Sequence, residues 1–199
     1  MLNDHVILAV LWILFGVLHS VLAGLGVKQR FANAFPRFAK HYRLLYTLIA
    51  FITFAIVLLY LVRMTTYYVY QPNLSTTLAG VLASVSGLLI MGICIKKYFL
   101  SLSGLKSLFQ EKPSHELMIG GIHRYVRHPL YLGTFLAIWG GFLIYPALSL
   151  FISNVVITLY TLIGITFEEK KLVAEFGPAY ETYRQQVPKL LPAFRRKNR

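Results

Sequence analysis

The chain has 199 residues, of which 57% are hydrophobic and 14% charged, and its mean hydropathy is +0.62. This composition excludes an ordinary soluble domain and predicts an integral membrane protein. The formal net charge is +13, but the basic residues are distributed as membrane topology requires, so no nucleic-acid partner is expected.

Five apolar runs of about bilayer length predict five membrane spans, because a spanning helix needs roughly 20 apolar residues. The runs cover about residues 6–27, 44–62, 74–95, 129–145 and 147–167. The first run lacks the basic segment that opens a signal peptide and is longer than a signal-peptide core. We therefore expect it to remain as a helix. The predicted fold is an all-α bundle of five transmembrane helices, in a single membrane domain of residues 1–199.

The last two runs form one stretch of 39 residues, from Pro129 to Phe167, without a charged side chain. Tyr145-Pro146 interrupts it near the middle, and proline favours a break between helices. A helical hairpin would return both ends of the stretch to one membrane face. It would place Arg127-His128 beside Glu168-Glu169, although the pairs are about 40 residues apart in sequence.

The basic residues indicate how the chain is oriented. Of the 20 lysines and arginines, 19 lie on alternate predicted loops, and only Arg63 lies on the other side. The positive-inside rule then places the N-terminus outside and the C-terminus in the cytoplasm. We expect the inner membrane of a prokaryote, or the endoplasmic reticulum membrane in a eukaryote. Attraction to anionic lipid headgroups is a secondary effect of the same charges.

The tail after the last run carries clear helix signals. Gly177-Pro178 ends one helix and begins another, and Tyr180 and Tyr183 then share a face. We expect a cytoplasmic tail helix below the bundle. Small residues in the third and fourth spans predict close helix packing; they are Gly80, Ser84 and Gly87 with Met91, and Gly133, Ala137 and Gly141.

The residues around the hairpin ends offer cationic donors, two carboxylates and several aromatic rings. This set suits a zwitterionic ligand with a flat ring. S-adenosylmethionine has those parts, and a nicotinamide nucleotide has them less completely. Alternatively, the Arg/His and Glu side chains pair with each other and fasten the hairpin. His115, His123 and His128 lack the spacing of a helical metal pair, so no metal site is predicted.

One combination of motifs resembles a known family. It comprises Gly121-x-x-Arg124-Tyr125-x-Arg127-His128-Pro129-x-Tyr131-x-Gly133, then Glu168-Glu169-x-x-Leu172, Phe176-Gly177-x-x-Tyr180-x-x-Tyr183 and Val187-Pro188. The combination is similar to the C-terminal signature of the integral membrane methyltransferases, which include isoprenylcysteine carboxyl methyltransferases and phospholipid methyltransferases. The resemblance covers about residues 117–192.

The resemblance implies that S-adenosylmethionine binds in a cytoplasm-facing pocket within residues 117–192. It implies methyl transfer to a small thiol, a lipid or an isoprenylcysteine-like acceptor, so the expected partners are apolar or amphipathic small molecules and membrane lipids. The cofactor-binding residues carried over are Gly121, Tyr125, Arg127, His128, Pro129, Tyr131, Glu168 and Glu169.

The N-terminal half is similar to the branch that holds NnrU-type proteins and methanethiol S-methyltransferase. The similarity lies in Leu18-His19-Ser20 and in Tyr42-Arg43-Leu44-Leu45-Tyr46, although Thr47 replaces the asparagine common in that branch. His19 and His123 are the candidate catalytic bases. Candidate substrate contacts are Arg43, Arg124 and Tyr183.

Two other functions remain open at the level of sequence. Membrane sterol reductases, which use NADPH, share an Arg-His-Pro-x-Tyr-x-Gly run, but they resemble one another in having Asn and Glu where this chain has Leu130 and Thr134. A non-catalytic membrane protein would bind neither cofactor. The sequence predicts neither the methyl acceptor nor the oligomeric state.

Overall fold

The computed structural model describes residues 2–102 and 117–192, so His115 lies outside the described residues. The described chain is helical, as predicted, and contains no strand; its one β-bridge pairs Tyr68 with Ala147. We number the helices α1 (Leu2–Ala23), α2 (Leu25–Ala34), α3 (Tyr42–Arg63), α4 (Leu74–Leu102), α5 (Pro129–Ile144), α6 (Leu148–Phe176) and α7 (Pro178–Gln186). Short 3₁₀ segments cover Pro36–His41 and Gly121–Arg124.

Four helical segments among the described residues are long and apolar enough to cross a membrane. They are Leu2–Ala23, Pro36–Arg63, Leu74–Lys96 and Leu148–Phe176. The fifth predicted span corresponds to α5, which is apolar but has only 16 residues. A helix of that length rises about 24 Å, somewhat less than the hydrocarbon thickness of about 30 Å. Five spans and the orientation of the chain therefore remain predictions.

Two helix ends differ from the predicted boundaries. The first span begins at Leu2 and ends at Ala23, because Gly24 adopts an extended conformation and separates α1 from the short basic helix α2. The last helix continues to Phe176, nine residues past the predicted end at Phe167. Glutamate and lysine are good helix formers, so the charged residues that end the apolar run do not end the helix.

The structure divides into two compact units. Among the described residues, unit 1 comprises 2–72, 95–102 and 145–157, and unit 2 comprises 73–94, 117–144 and 158–192. The predicted single membrane domain remains a prediction.

Unit 1 has its core between α1, α3 and the start of α6. Leu8, Trp12 and Val57 are buried there. The Trp12 indole Nε1 donates to Ser153 Oγ at 2.8 Å, and Ser153 in turn donates to the Ser149 carbonyl at 2.8 Å. Polar groups inside a membrane protein are stable when they pair in this way.

Unit 2 is held together by close contact between α4 and α5. A Cβ atom on Gly87 would lie 2.5 Å from both the Ala137 nitrogen and the Gly133 oxygen, so only glycine fits there. Gly140 packs against Ser84 in the same way, whereas Gly141 has no neighbour within 4 Å that a Cβ would meet. The predicted small-residue contact is therefore present, but with Gly140 in place of Gly141, because the helix turns 3.6 residues at a time and not four.

The tail helix α7 begins as the sequence indicates. Gly177 has φ 52°, in the left-handed region that favours glycine, and Pro178 opens the helix. Tyr180 and Tyr183 are both buried on one face, with ring centroids 5.9 Å apart. The Tyr183 hydroxyl also donates to the His123 carbonyl, which ties the tail helix to the rest of unit 2.

Candidate functional site

Arg127 is the centre of a buried charged cluster in unit 2. Its Nε and Nη2 atoms both lie 2.8 Å from Oε1 of Glu169, and the two side chains are only 8% and 9% exposed. The remaining nitrogen, Nη1, donates to the backbone carbonyls of Arg184 and Val187. All three guanidinium nitrogens are therefore engaged inside the protein.

His128 completes this cluster. Its Nε2 atom lies 3.1 Å from the same Glu169 oxygen, and its side chain is 4% exposed. Three nitrogen atoms of two residues thus surround Oε1 of one carboxylate, which satisfies a buried charge that would otherwise be costly. We call Arg127, His128 and Glu169 the Arg–His–Glu cluster.

Glu168 lies beside the cluster and is more open. Its side chain is 44% exposed, and its Oε2 atom accepts a hydrogen bond from the Tyr131 hydroxyl at 3.0 Å. The His128 ring stacks on the Tyr131 ring, with centroids 5.7 Å apart and 27° between planes. The predicted meeting of the two hairpin ends is therefore observed, from Arg127 to Tyr131 on one side and at Glu168 and Glu169 on the other.

Backbone hydrogen bonds fix the segment that carries Arg127 and His128. The Arg127 nitrogen donates to the Pro188 carbonyl at 2.9 Å, and the His128 nitrogen donates to the Lys189 carbonyl at 3.1 Å. A residue before proline avoids the helical conformation, so His128 stays outside α5 and its N–H is available for this contact. Pro129 is fully buried and opens α5.

A cleft of about 360 Å³ opens next to Glu169, and its volume is within the range of small-ligand sites. It is lined by Thr166, Glu169, Lys170, Val173, Arg184 and Lys189. The Lys189 ammonium lies 3.9 Å from Oε2 of Glu169, the oxygen that faces away from Arg127. The cleft therefore offers one carboxylate oxygen as an acceptor and three basic side chains as donors. These groups fit the ammonium and the carboxylate of a zwitterionic amino-acid group.

The tail helix contributes two buried tyrosines with different roles. The Tyr183 hydroxyl donates to the His123 carbonyl at 2.7 Å, and His123 Nδ1 lies 3.2 Å from the Arg127 carbonyl. The Tyr180 side chain is 1% exposed, and its hydroxyl has no hydrogen-bond partner among the described residues. Burial, together with the negative charge of Glu169, raises the pKa of Tyr180 to about 12, so its hydroxyl keeps its proton at neutral pH.

Three other predicted residues are placed at the edge of this region. Gly121 has φ 66° and opens the 3₁₀ segment, as expected for a glycine turn. Arg124 and Tyr125 follow it and are exposed, Tyr125 at 68%. Neither lines the cleft, so their roles toward substrate and cofactor remain predictions. Tyr183, predicted to contact substrate, is occupied with the backbone of His123.

The remaining predicted residues, His19 and Arg43, belong to unit 1. The Tyr46 hydroxyl lies 2.8 Å from Nε2 and 3.1 Å from Nδ1 of His19. Arg43 is exposed on the first turn of α3. A role of either residue in catalysis or substrate binding is likewise still a prediction.

Sequence reasoning missed Arg184 and Lys189 as members of the site and Tyr46 as the partner of His19. The run Val187-Pro188 marked a motif, but nothing in it showed that the neighbouring carbonyls would accept from Arg127. Tyr46 was visible only as part of a resemblance. Its contact with His19 joins residues 27 apart and depends on how α1 packs on α3.

Comparison with known proteins shows which family this sequence matches. The family described as "Protein of unknown function (DUF1295)" matches residues 4–187, most of the chain. The chain belongs to that family. It is also similar to a methanethiol S-methyltransferase of Crocosphaera subtropica, with 47% identity over 76 residues, 38% of this chain and 29% of the relative.

Two further relatives extend the likeness. A methanethiol S-methyltransferase of Bradyrhizobium diazoefficiens is 29% identical over 188 residues, 90% of this chain and 64% of the relative. A protein-S-isoprenylcysteine O-methyltransferase of Schizosaccharomyces pombe is 39% identical over 79 residues, 39% of this chain and 34% of the relative. This member of the DUF1295 family thus spans less than two thirds of each of the three relatives. No solved structure matches it.

The comparisons confirm the resemblance inferred from the motifs. Curated relatives carry the names of both enzyme types that the motifs resembled, the methanethiol S-methyltransferases and the isoprenylcysteine methyltransferases. All of these names describe transfer of a methyl group, to sulfur in one type and to oxygen in the other.

Proposed function

We propose that this chain is a membrane methyltransferase that uses S-adenosylmethionine and methylates a small thiol. The observation that carries the proposal is that a basic cleft opens on the Oε2 side of Glu169, while the Arg–His–Glu cluster holds its Oε1 side. Relatives named as methyltransferases support the reaction, and the relatives named for methanethiol support the thiol acceptor.

The amino-acid end of the cofactor fits the cleft by charge. Oε2 of Glu169 would accept its ammonium, while Lys189, Lys170 and Arg184 would receive its carboxylate. Arg127 and His128 position Glu169 by occupying its other oxygen. Tyr125, Tyr131 and Gly121 remain predicted walls of the cofactor pocket, and Glu168 remains a predicted contact of the cofactor's amino-acid end. This arrangement assigns Arg127 a positioning role, whereas the motif alone suggested direct contact with the cofactor.

When bound, S-adenosylmethionine supplies a methyl group already activated on a sulfonium. The protein then has to orient the acceptor and exclude water. A thiol acceptor also has to lose its proton, because the thiolate is the nucleophile. In the overall reaction the bond between methyl and sulfonium breaks, a methyl–sulfur bond forms on the acceptor, and the products are a thioether, S-adenosylhomocysteine and a proton.

The proposal includes the orientation predicted from the basic residues, with the cofactor reached from the cytoplasm. Placing the cleft at the cytoplasmic end of α6 agrees with the lysines that line it, since basic residues collect on that side. We place the chain in the cytoplasmic membrane of a prokaryote, the setting predicted from its sequence.

Equilibrium binding of S-adenosylmethionine to the purified chain in lipid nanodiscs tests this assignment. The wild type should bind it, and Glu169→Gln, which keeps the shape of the side chain, should lose binding by at least about tenfold. Glu175→Gln is the matched control, because Glu175 is exposed on the same helix and does not line the cleft. Unchanged binding by Glu169→Gln would contradict the site, and binding of NADPH alone would favour a reductase.

A further inference from the structure

A second cleft in unit 2 is lined by apolar residues. Its volume is about 290 Å³, at the lower end of the range for small-ligand sites. The Trp139 ring belongs to the lining, and its Nε1 donates to Thr158 Oγ1 at 3.1 Å. A charged or strongly polar group would lose its hydration in this cleft without replacement. We therefore expect an apolar ligand there.

This apolar cleft is elongated along α5. Its lining on that helix recurs every three or four residues, which is the spacing of one helix face; the residues are Leu132, Phe135, Leu136, Trp139 and Leu143. From the first of them to the last, the helix rises about 16 Å. A volume of this size spread over that length leaves a narrow cross-section, which fits an extended alkyl chain better than a compact molecule.

One end of the apolar cleft lies beside the Glu169 cleft. Leu190, in the apolar lining, directly follows Lys189, whose ammonium lies 3.9 Å from Oε2 of Glu169. On α5, the Leu132 nitrogen donates to the His128 carbonyl at 3.1 Å, so Leu132 lies one turn from the Arg–His–Glu cluster. Successive Cα atoms are 3.8 Å apart, so the linings of the two clefts are direct neighbours along the segment after α7.

The other end of the apolar cleft lies at the contact between α4 and α5. Ala83 lines the cleft there. Its neighbour Ser84 packs against Gly140, where a Cβ atom would lie 2.5 Å from Ser84 Oγ. Gly140 is eight residues beyond Leu132, about 12 Å along the helix. A ligand that starts beside His128 therefore needs a chain of several carbon atoms to reach Ala83.

We propose that the apolar cleft holds the alkyl chain of the acceptor thiol, with the sulfur at the end beside His128 and Lys189 and the chain directed along α5 toward Ala83. This inference rests on the proposed function, which supplies the thiol and the cofactor in the adjoining cleft. It narrows the acceptor to unbranched alkyl thiols and makes methanethiol the shortest member of the class. It concerns binding and adds no chemical step to the methyl transfer.

A series of thiols of increasing length tests the proposal. With the chain in nanodiscs of fixed lipid content and S-adenosylmethionine saturating, kcat/KM should rise from methanethiol through butanethiol to octanethiol. Burial of each methylene is expected to raise it roughly threefold until the cleft is filled. Longer thiols also concentrate in the lipid, so variants in the same nanodiscs are needed to separate partition from binding.

Ala83→Leu provides that comparison, because it places a larger side chain at the far end of the cleft. It should lower the ratio of kcat/KM for octanethiol to that for methanethiol about tenfold. Ala79→Leu is the matched control, since Ala79 is exposed one turn earlier on α4 and does not line the cleft; its ratio should equal that of the wild type. Equal ratios for Ala83→Leu and Ala79→Leu would overturn the proposal.

A binding measurement keeps the proposal testable without turnover. Trp12 and Trp139 are the two tryptophans of the chain, so Trp12→Phe leaves Trp139 as the fluorophore in the cleft. In that background and without S-adenosylmethionine, 1-bromooctane should quench the fluorescence with saturation. Adding Ala83→Leu should weaken the saturable quenching about tenfold, and adding Ala79→Leu should not change it.

The two measurements separate failure of this inference from failure of the proposed function. If the chain transfers no methyl group but the saturable quenching depends on Ala83, the alkyl-chain site holds and the proposed reaction fails. If the chain methylates methanethiol without a preference for longer thiols, the reaction holds and this inference is wrong. Quenching that does not saturate and is equal in both alanine variants would show that only bilayer acyl chains contact the cleft, which also contradicts the inference.

Discussion

Arg127 and Glu169 are joined through a single carboxylate oxygen: two guanidinium nitrogens, Nε and Nη2, each lie 2.8 Å from Oε1. The other oxygen, Oε2, faces Lys189 and the cleft. One glutamate therefore does two things, because one side of it fastens α6 to the segment before α5 and the other side is presented to a ligand. The sequence allowed two interpretations of these charges, that they fasten the hairpin ends or that they bind a ligand. This geometry is compatible with both.

The fastening role predicts a large loss of stability when Arg127 is removed. Arg127→Ala leaves the carboxylate of Glu169 buried without its main partner, and breaking a buried pair in this way costs about 3–5 kcal/mol. Arg127→Lys should also be destabilising, since one ammonium cannot reach the carboxylate and two backbone carbonyls together. The measurement is the thermal unfolding midpoint in detergent.

Arg124→Ala is the control for that series, because Arg124 is exposed and only three residues away. It should change the free energy of unfolding by no more than about 0.5 kcal/mol, so its midpoint should stay close to that of the wild type. The double variant Arg127→Ala with Glu169→Ala should lose less than the sum of the single losses, since it removes both charges. Additive losses would show that the pair does not fasten the site.

Loss of the hydroxyl should change the stability of the protein differently at the two tyrosines of α7. Tyr183→Phe removes a partly buried hydrogen bond to the His123 carbonyl and should cost about 1 kcal/mol. Tyr180→Phe removes a buried hydroxyl that has no partner among the described residues, so it should be neutral or slightly stabilising. Thermal midpoints of both variants check this, and a larger loss for Tyr180→Phe would show that its hydroxyl has a partner outside the described residues or a bound ligand.

Glycine at the contact between α4 and α5 gives a third prediction. Gly87→Ala would place a Cβ 2.5 Å from backbone atoms of α5, so the helices have to separate, at a cost of about 1–3 kcal/mol. Gly92 lies on the same helix, and a Cβ atom there would have no neighbour within 4 Å. Gly92→Ala should therefore be neutral or stabilising. Equal midpoints for the two variants would mean that α4 and α5 are not in close contact.

The membrane helices could be predicted from sequence because each depends on the length of a local apolar run. The meeting of Arg127 with Glu169 could also be predicted, since a charge-free stretch broken at Tyr145-Pro146 has to fold back. The end of α6 could be predicted from Gly177-Pro178 but not from the apolar run, because leaving an apolar run does not stop a helix. It continues through Glu168 and Lys170 to Phe176.

The rest of the site depends on contacts that local patterns do not contain. Lys189 reaches the cleft only because the chain after α7 pairs its carbonyls with the nitrogens of Arg127 and His128. Tyr46 reaches His19 because α3 packs on α1 with that register. No local sequence pattern predicts either contact. The motif resemblance indicates which residues bind a ligand, but it does not indicate which side chains contact each other.

The central claim is transfer of a methyl group to a small thiol, and one labelling experiment tests it most directly. Membranes containing the chain are incubated with methanethiol and S-adenosylmethionine labelled in its methyl group, and the volatile, lipid and protein fractions are separated. The account predicts label in a volatile thioether, and none with Glu169→Gln or with membranes that lack the chain. Label confined to lipid or protein, or a volatile product unaffected by Glu169→Gln, would contradict it.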